Sequence, residues 1–138
     1  MSEAKPAESY VLASIKRTGC YGKCPVYEAK VFSNGIVLYE GKQFSAREGI
    51  YEAYLTQNQI DSLLVQADSA RFFDLQPLYP TDGAKLLDLP STFTYLKKDK
   101  AEKEIINNHS APKSLKYFEQ YFDQLLLQLD WKPVEEVH

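Results

Sequence analysis

The residues best suited to chemistry in this 138-residue chain are its only two cysteines, Cys20 and Cys24. Gly22 stands between them and Pro25 follows them. Because a glycine lets the backbone turn tightly, the two sulfur atoms can come within bonding range. Three roles are open for the pair: a structural disulfide, two reduced thiols packed beneath the loop, or a functional thiol pair.

The first two roles differ in the compartment that they require. A disulfide between Cys20 and Cys24 would close a short loop and stabilise the fold by about 2 kcal/mol on the chain-entropy model. Such a bond persists in exported proteins, whereas two reduced thiols packed under the loop are expected in the cytosol.

The third role is disulfide exchange or soft-metal binding. Arg17 and Lys23 lie close in sequence and would lower the pKa of a neighbouring thiol. Two thiolates and an imidazole suit Cu(I) or Zn(II), and His109 is the only internal histidine that could be the third ligand. A thiol-based redox or Cu/Zn-binding protein using Cys20, Cys24 and His109 is therefore the alternative function.

Composition argues against several function classes. The formal net charge is −3 and the basic residues are mixed with acidic ones, which is not typical of a nucleic-acid-binding protein. No run of 18 apolar residues could span a membrane. Residues 1–8 are polar, so we expect a disordered lead-in and no signal peptide in this chain.

Motifs of known enzymes are also missing. The sequence has no phosphate-binding loop, nucleophile elbow, zinc-protease helix or dinucleotide fingerprint. We therefore favour a protein that is not an enzyme and expect no cofactor. A hydrolase using paired carboxylates stays open, and it would require two of the 19 acidic side chains to converge in a cleft.

The elements that must position the cysteines are mainly strands. Residues 9–15 have the length and composition of a strand, and residues 26–32 alternate between apolar and polar side chains as a half-buried strand does. Asn34–Gly35 then predicts a hairpin to the strand that starts at residue 36, with positive φ at both turn residues. An extended edge segment should end near residue 55, and residues 92–98 and 103–107 should form a second hairpin.

Two helices are expected. Thr56 and Gln59 predict a capping box that opens a helix over residues 57–70. Pro112 suits the first turn of a second helix, whose apolar side chains recur every three or four residues at Leu115, Phe118, Phe122, Leu125 and Leu129. Residues 76–91 contain several prolines and predict a long loop that could form a recognition surface.

These elements predict an α+β fold, with an antiparallel four- to five-stranded sheet and two helices packed on one face. Residues 9–131 should form this single domain. Residues 132–138 should be a frayed tail.

The segment from Arg17 to Tyr27 resembles the signature of an uncharacterised bacterial family of domains of unknown function, whose members share a Gly-Cys-aromatic-Gly-x-Cys-Pro-x-Tyr core. The positions that match and whose role is unknown are Arg17, Gly22, Pro25 and Tyr27. The similarity continues at residues 34–41, 88–92 and 112–115.

This resemblance implies a small bacterial protein that is often exported or lipid-anchored, and it implies no known activity. An extracytoplasmic location, in the periplasm or cell envelope, is therefore expected, with a cytoplasmic one as the alternative. The leading hypothesis is a non-catalytic extracytoplasmic binding or interaction module, fixed at one end by a Cys20–Cys24 disulfide, whose partner is an unknown protein or small ligand.

Overall fold

The computed structural model describes residues 9–84 and 86–134, and these residues form an α+β fold. Helix α1 spans Gln57–Ser69, helix α2 spans Lys113–Leu127, and a short 3-10 helix spans Phe72–Asp74. The strands are, in chain order, β1 Val11–Arg17, β2 Val26–Phe32, β3 Ile36–Gln43, β4 Gly49–Tyr54, β5 Leu78–Tyr79, β6 Thr92–Lys98, β7 Ala101–Asn107 and β8 Lys132–Pro133.

All of these strands belong to one eight-stranded mixed sheet, in the order β5-β7-β6-β1-β2-β3-β4-β8. Every neighbouring pair is antiparallel except β5 and β7, which are parallel. The prediction of a four- to five-stranded antiparallel sheet was therefore wrong in both respects. The two outermost strands, β5 and β8, have two residues each, which is too short for an alternating pattern in the sequence. A proline flanks β5 and another lies in β8, and a sheet tolerates proline mainly at its edges.

The hairpin between β2 and β3 is confirmed, but its turn differs from the expected one. The Gly35 N–H donates to the Phe32 carbonyl oxygen at 2.9 Å, and Gly35 alone in the turn has a positive φ, of 94°. This is a longer loop closed by a left-handed glycine rather than a two-residue turn with two left-handed residues.

Both helices pack into one hydrophobic core with the inner face of the sheet. The capping box of α1 is confirmed, with the Gln59 N–H 3.1 Å from the Thr56 hydroxyl and the Thr56 N–H 2.8 Å from the Gln59 side-chain oxygen. Helix α2 begins directly after Pro112 and ends at Leu127, and Phe118 and Phe122 from its apolar stripe are completely or almost completely buried.

The C-terminal segment adds an edge strand to the sheet. Lys132 pairs with Glu52 and Pro133 pairs with Tyr51, so β8 lies within the stretch expected to be a frayed tail. The expected lead-in over residues 1–8 and the tail from residue 135 onward lie outside the described residues. No helix in the described part of the chain has the length and apolar character needed to cross a membrane.

The connection between β3 and β4 folds back over the inner face of the sheet because of Gly41. A Cβ atom at this position would collide with the carbonyl oxygen of Arg47 and lie 2.5 Å from the Ser45 hydroxyl oxygen. Only a glycine allows residues 44–48, which we call the covering loop, to lie this close to β3.

We predict that Gly41→Ala lowers the free energy of unfolding by about 1–3 kcal/mol, because the added methyl group overpacks the contact with the covering loop. Gly19→Ala is the matched control, since its Cβ would meet Val26 at an ordinary 3.6 Å. Urea unfolding of both variants provides the measurement. Equal stability of the two variants would show that the covering loop does not need Gly41.

Candidate functional site

Polar side chains form a row across the inner, buried face of the sheet. Arg17 on β1 pairs in register with Tyr27 on β2 and with Thr92 on β6, and Thr92 pairs with Asn107 on β7. Cross-strand partners point to the same face, so these four side chains stand side by side. We call Asn107, Thr92, Arg17 and Tyr27 the polar row.

Helix α2 lies over the polar row and presents acidic groups to it. Its Asp123 accepts a fork of hydrogen bonds from Arg17, with Nη2–Oδ2 at 2.6 Å and Nε–Oδ1 at 3.4 Å. The Tyr27 hydroxyl donates to the same carboxylate, and Arg17 Nη1 donates to the Thr92 hydroxyl at 2.8 Å. The guanidinium therefore joins two strands to the helix through charge-assisted hydrogen bonds.

A second carboxylate, Glu119, lies one helical turn before Asp123 and is only 5% exposed. It accepts hydrogen bonds from the Asn107 amide nitrogen at 3.2 and 3.1 Å. Burial raises the pKa of Glu119, and the Asn107 hydrogen bond together with the charges of Arg17 and Lys116 offsets part of that increase.

The same competition acts on Asp123. Burial raises the pKa of this carboxyl group, and the hydrogen bonds and charge of Arg17 lower it, with burial the larger effect. The Arg17 and Asp123 side chains are 22% and 29% exposed, so the pair is neither free in solvent nor removed from it. Loss of one partner would leave the other charge partly desolvated.

A cavity of about 300 Å³ opens beside this ion pair, between the sheet, the end of α2 and the covering loop. Its charged lining groups are Arg17, Arg47 and Asp123. The apolar side chains that line it are Tyr27, Tyr39, Phe44, Leu126, Leu127 and Trp131.

Aromatic rings form one wall of the cavity. The rings of Tyr27 and Tyr39 stack with centroids 5.3 Å apart, and the Trp131 ring lies 5.2 Å from that of Tyr39. The Trp131 indole nitrogen donates to the Leu126 carbonyl oxygen at 2.8 Å, which fixes the ring against the end of α2. The wall is therefore held by directed contacts as well as by packing.

The covering loop brings Arg47 to the cavity. Its guanidinium carbon lies 5.6 Å from the centroid of the Tyr51 ring and 5.7 Å from that of Trp131, within the range of a cation–π interaction. Burial raises the pKa of Tyr39, while a hydrogen bond with Ser45 and the positive charge of Arg47 oppose that rise. The positive charge of Arg47 therefore lies close enough to the aromatic wall to act on the Tyr39 hydroxyl.

The two cysteines form a disulfide, with their Cα atoms 5.7 Å apart. Both are half-buried, and the Gly22 N–H lies 3.3 Å from the Cys20 sulfur. Pro25, directly after the disulfide, lines the cavity, as do Arg17 and Tyr27. Three of the four motif positions of unknown role thus meet at one place, whereas Gly22 is exposed in the loop.

In the described part of the chain, the His109 side chain makes no hydrogen bond to either cysteine. Its ring nitrogens lie 2.8 Å from the Ser110 hydroxyl and 3.3 Å from the Ala84 carbonyl oxygen. Among residues 9–84 and 86–134, no group of three or more His, Cys, Asp or Glu side chains gathers as a metal site would.

Sequence reasoning missed Glu119, Asp123, Arg47 and Trp131. A usable signal existed for the first, because Glu119 lies four residues after Leu115 and three before Phe122, on the apolar stripe of α2. A carboxylate at such a position must find a partner. The other three depend on contacts between elements distant in sequence.

A family model described as "Domain of unknown function (DUF6438)" matches residues 11–126. The chain belongs to this family. A search of curated proteins finds no match. The matched residues of this DUF6438 domain include the disulfide loop, the polar row and Asp123, while Leu127 and Trp131 of the cavity lie beyond them.

We predict that a double-mutant cycle on Arg17→Met and Asp123→Leu gives a coupling free energy of about 1–2 kcal/mol by urea unfolding, because both charges are partly desolvated and joined by two hydrogen bonds. The exposed pair Lys98–Asp68, whose side chains are 42% and 55% exposed, is the matched control. Its cycle, with Lys98→Met and Asp68→Leu, should give less than about 0.5 kcal/mol. Equal coupling in the two cycles would contradict a special role for the Arg17 pair.

Proposed function

We propose that this DUF6438 domain is a non-catalytic, extracytoplasmic binding module that holds a small ligand in the cavity between the sheet, α2 and the covering loop. The observation that carries the proposal is the cavity itself. Its volume of about 300 Å³ lies at the lower end of the range for ligand pockets, and its lining combines a mainly apolar wall with a few polar groups.

The walls of this cavity are held in place by contacts within the protein. Tyr27 and Tyr39 project from the central strands, and the indole of Trp131 is hydrogen-bonded to the end of α2. A ligand would therefore lose little free energy in ordering the protein, which favours binding by a small molecule.

A role without catalysis is supported by the hydrogen bonding at the polar end of the cavity. The Asp123 oxygens accept from Arg17 and Tyr27, and Arg17 also binds Thr92. Of the two carboxylates that α2 presents to the polar row, only Asp123 lines the cavity, so the pair required by a two-carboxylate hydrolase does not face a common ligand.

An extracytoplasmic location is supported by the disulfide, because such bonds persist in oxidising compartments. The resemblance of residues 17–27 to a family of often exported or lipid-anchored bacterial proteins points the same way. The periplasm or cell envelope is therefore the proposed site of action.

The binding proposal is tested with N-phenyl-1-naphthylamine, a neutral apolar fluorescent probe. We expect saturable binding at one site, with quenching of Trp131, which is the only tryptophan in the chain. Ala46→Phe should weaken binding by on the order of tenfold, because a ring at this lining position takes up ligand space.

Val65→Phe is the matched control, since Val65 is 57% exposed on α1 and does not line the cavity. It should bind the probe as the unchanged protein does. The proposal fails if the probe binds without saturation or if both variants weaken binding equally.

A thiol-based redox function is the second candidate. The observation in its favour is the Gly22 N–H directed at the Cys20 sulfur, because an amide donor and the nearby Lys23 would both stabilise a Cys20 thiolate after reduction. Disulfide exchange would then occur at the exposed loop, away from the apolar wall of the cavity.

Two measurements separate a structural disulfide from an exchanging one. We predict a reduction potential below about −300 mV in glutathione buffers, read by alkylation and intact mass. We also predict that Cys20→Ser/Cys24→Ser lowers the free energy of unfolding by about 2 kcal/mol and changes probe affinity by less than about twofold. A potential of about −120 to −270 mV would instead favour the thiol function.

A further inference from the structure

We propose that the cavity selects a small monocarboxylate with an apolar body, and that Arg47 recognises the carboxylate. This inference rests on the proposed binding function and specifies the chemical class of the ligand. It follows from the charges that line the cavity and from the partners that those charges already have.

The charge of Arg17 is already compensated by Asp123. Its guanidinium makes a two-point contact with Asp123 and a further hydrogen bond to Thr92. Because the Asp123 carboxylate is adjacent, an incoming anion at this end of the cavity would meet a negative charge as well as a positive one. Arg17 is therefore a poor anchor for an anionic ligand.

Arg47 differs from Arg17 in the side chains that it contacts. Within the described ranges 9–84 and 86–134, no Asp or Glu forms an ion pair with it, and its guanidinium lies over the faces of Tyr51 and Trp131. Stacking on aromatic rings leaves the in-plane N–H donors of a guanidinium available. These donors match the geometry of a carboxylate, which can accept two of them in parallel.

The charge balance of the lining favours an anion over a cation. Two arginines and one aspartate leave an excess of one positive charge. Aromatic rings beside a carboxylate can also bind a cationic ligand, but here Arg47 already lies over Trp131, and Arg17 already holds Asp123. A ligand cation would have to displace one of these arginines.

The remainder of the ligand must be apolar and small. Phe44, Leu126 and Leu127 face the same space as the aromatic wall, and the cavity volume of about 300 Å³ accommodates an apolar body of one to three rings or a short acyl chain. An apolar body would cover these side chains while its carboxylate contacts Arg47. Selectivity for a negatively charged ligand would then come from Arg47.

The test compares three ligands that share an apolar body: 4-phenylbutanoate, the neutral 4-phenylbutanamide and the cationic 4-phenylbutylamine. Each is titrated by calorimetry and by displacement of N-phenyl-1-naphthylamine at neutral pH. We expect the carboxylate to bind at least about tenfold more tightly than the amide and the amine to bind most weakly. Arg47→Gln should remove the preference for the carboxylate over the amide.

Arg71→Gln is the matched control, because it removes the same charge at a residue outside the cavity lining, and it should retain the preference. Saturable one-site binding of the neutral probe by Arg47→Gln verifies that its cavity is intact, and Arg47→Lys should retain part of the preference. Equal binding of carboxylate and amide, tightest binding of the amine, or a preference that survives Arg47→Gln would overturn the inference. If the probe binds in those cases, the proposed binding function stands; if it does not bind at all, that function fails as well.

Discussion

The requirement that a buried charge have a partner determines how α2 sits on the sheet. Arg17 lies on the buried face of β1, and its partly desolvated guanidinium is compensated there by a carboxylate from another element. Asp123 supplies it, and Glu119 one turn earlier meets Asn107 at the other end of the same row. The apolar stripe of α2 would tolerate small rotations and shifts along the sheet, whereas these directed contacts allow one register.

The cavity lies at one end of the polar row, beside Asp123 and the end of α2. The row ends at Tyr27, and the next residue across the sheet is Gly41 on β3, against which the backbone of the covering loop packs. The covering loop brings Phe44 and Arg47 to the cavity. One glycine thus accounts for the close approach of the loop that forms one side of the cavity. The disulfide acts at the same end of the sheet, because Pro25 follows it directly and lines the cavity.

Local patterns predicted the local elements well and the long-range ones poorly. The alternation in β2, the hairpin from β2 to β3, the capping box at Thr56 and the apolar stripe of α2 each depend on neighbours within a few residues. Strands β5 and β8 have two residues each and form by pairing with longer strands at the edges of the sheet. Two residues beside a proline are too few to show the alternation that predicts a strand from the sequence. The same limit applies to the site. The segment around Arg17 and Tyr27 was identifiable as a motif, but its partner Asp123 lies 106 residues from Arg17, and nothing local distinguishes that carboxylate from the rest.

The site has a structural part and a lining part that differ in what a substitution would change. Arg17, Tyr27 and Asp123 hold β1, β2 and α2 together, and all three fall within the residues matched by the DUF6438 model. Trp131 lies beyond those residues, on the segment that leads into β8, and is held by one hydrogen bond to the end of α2. A change at the first group would alter the packing of the fold, because it would leave a desolvated charge unpaired. A change at Trp131 would alter the shape of the cavity while leaving the ion pair intact. The side chain at position 131 can therefore differ without loss of the ion pair that positions α2.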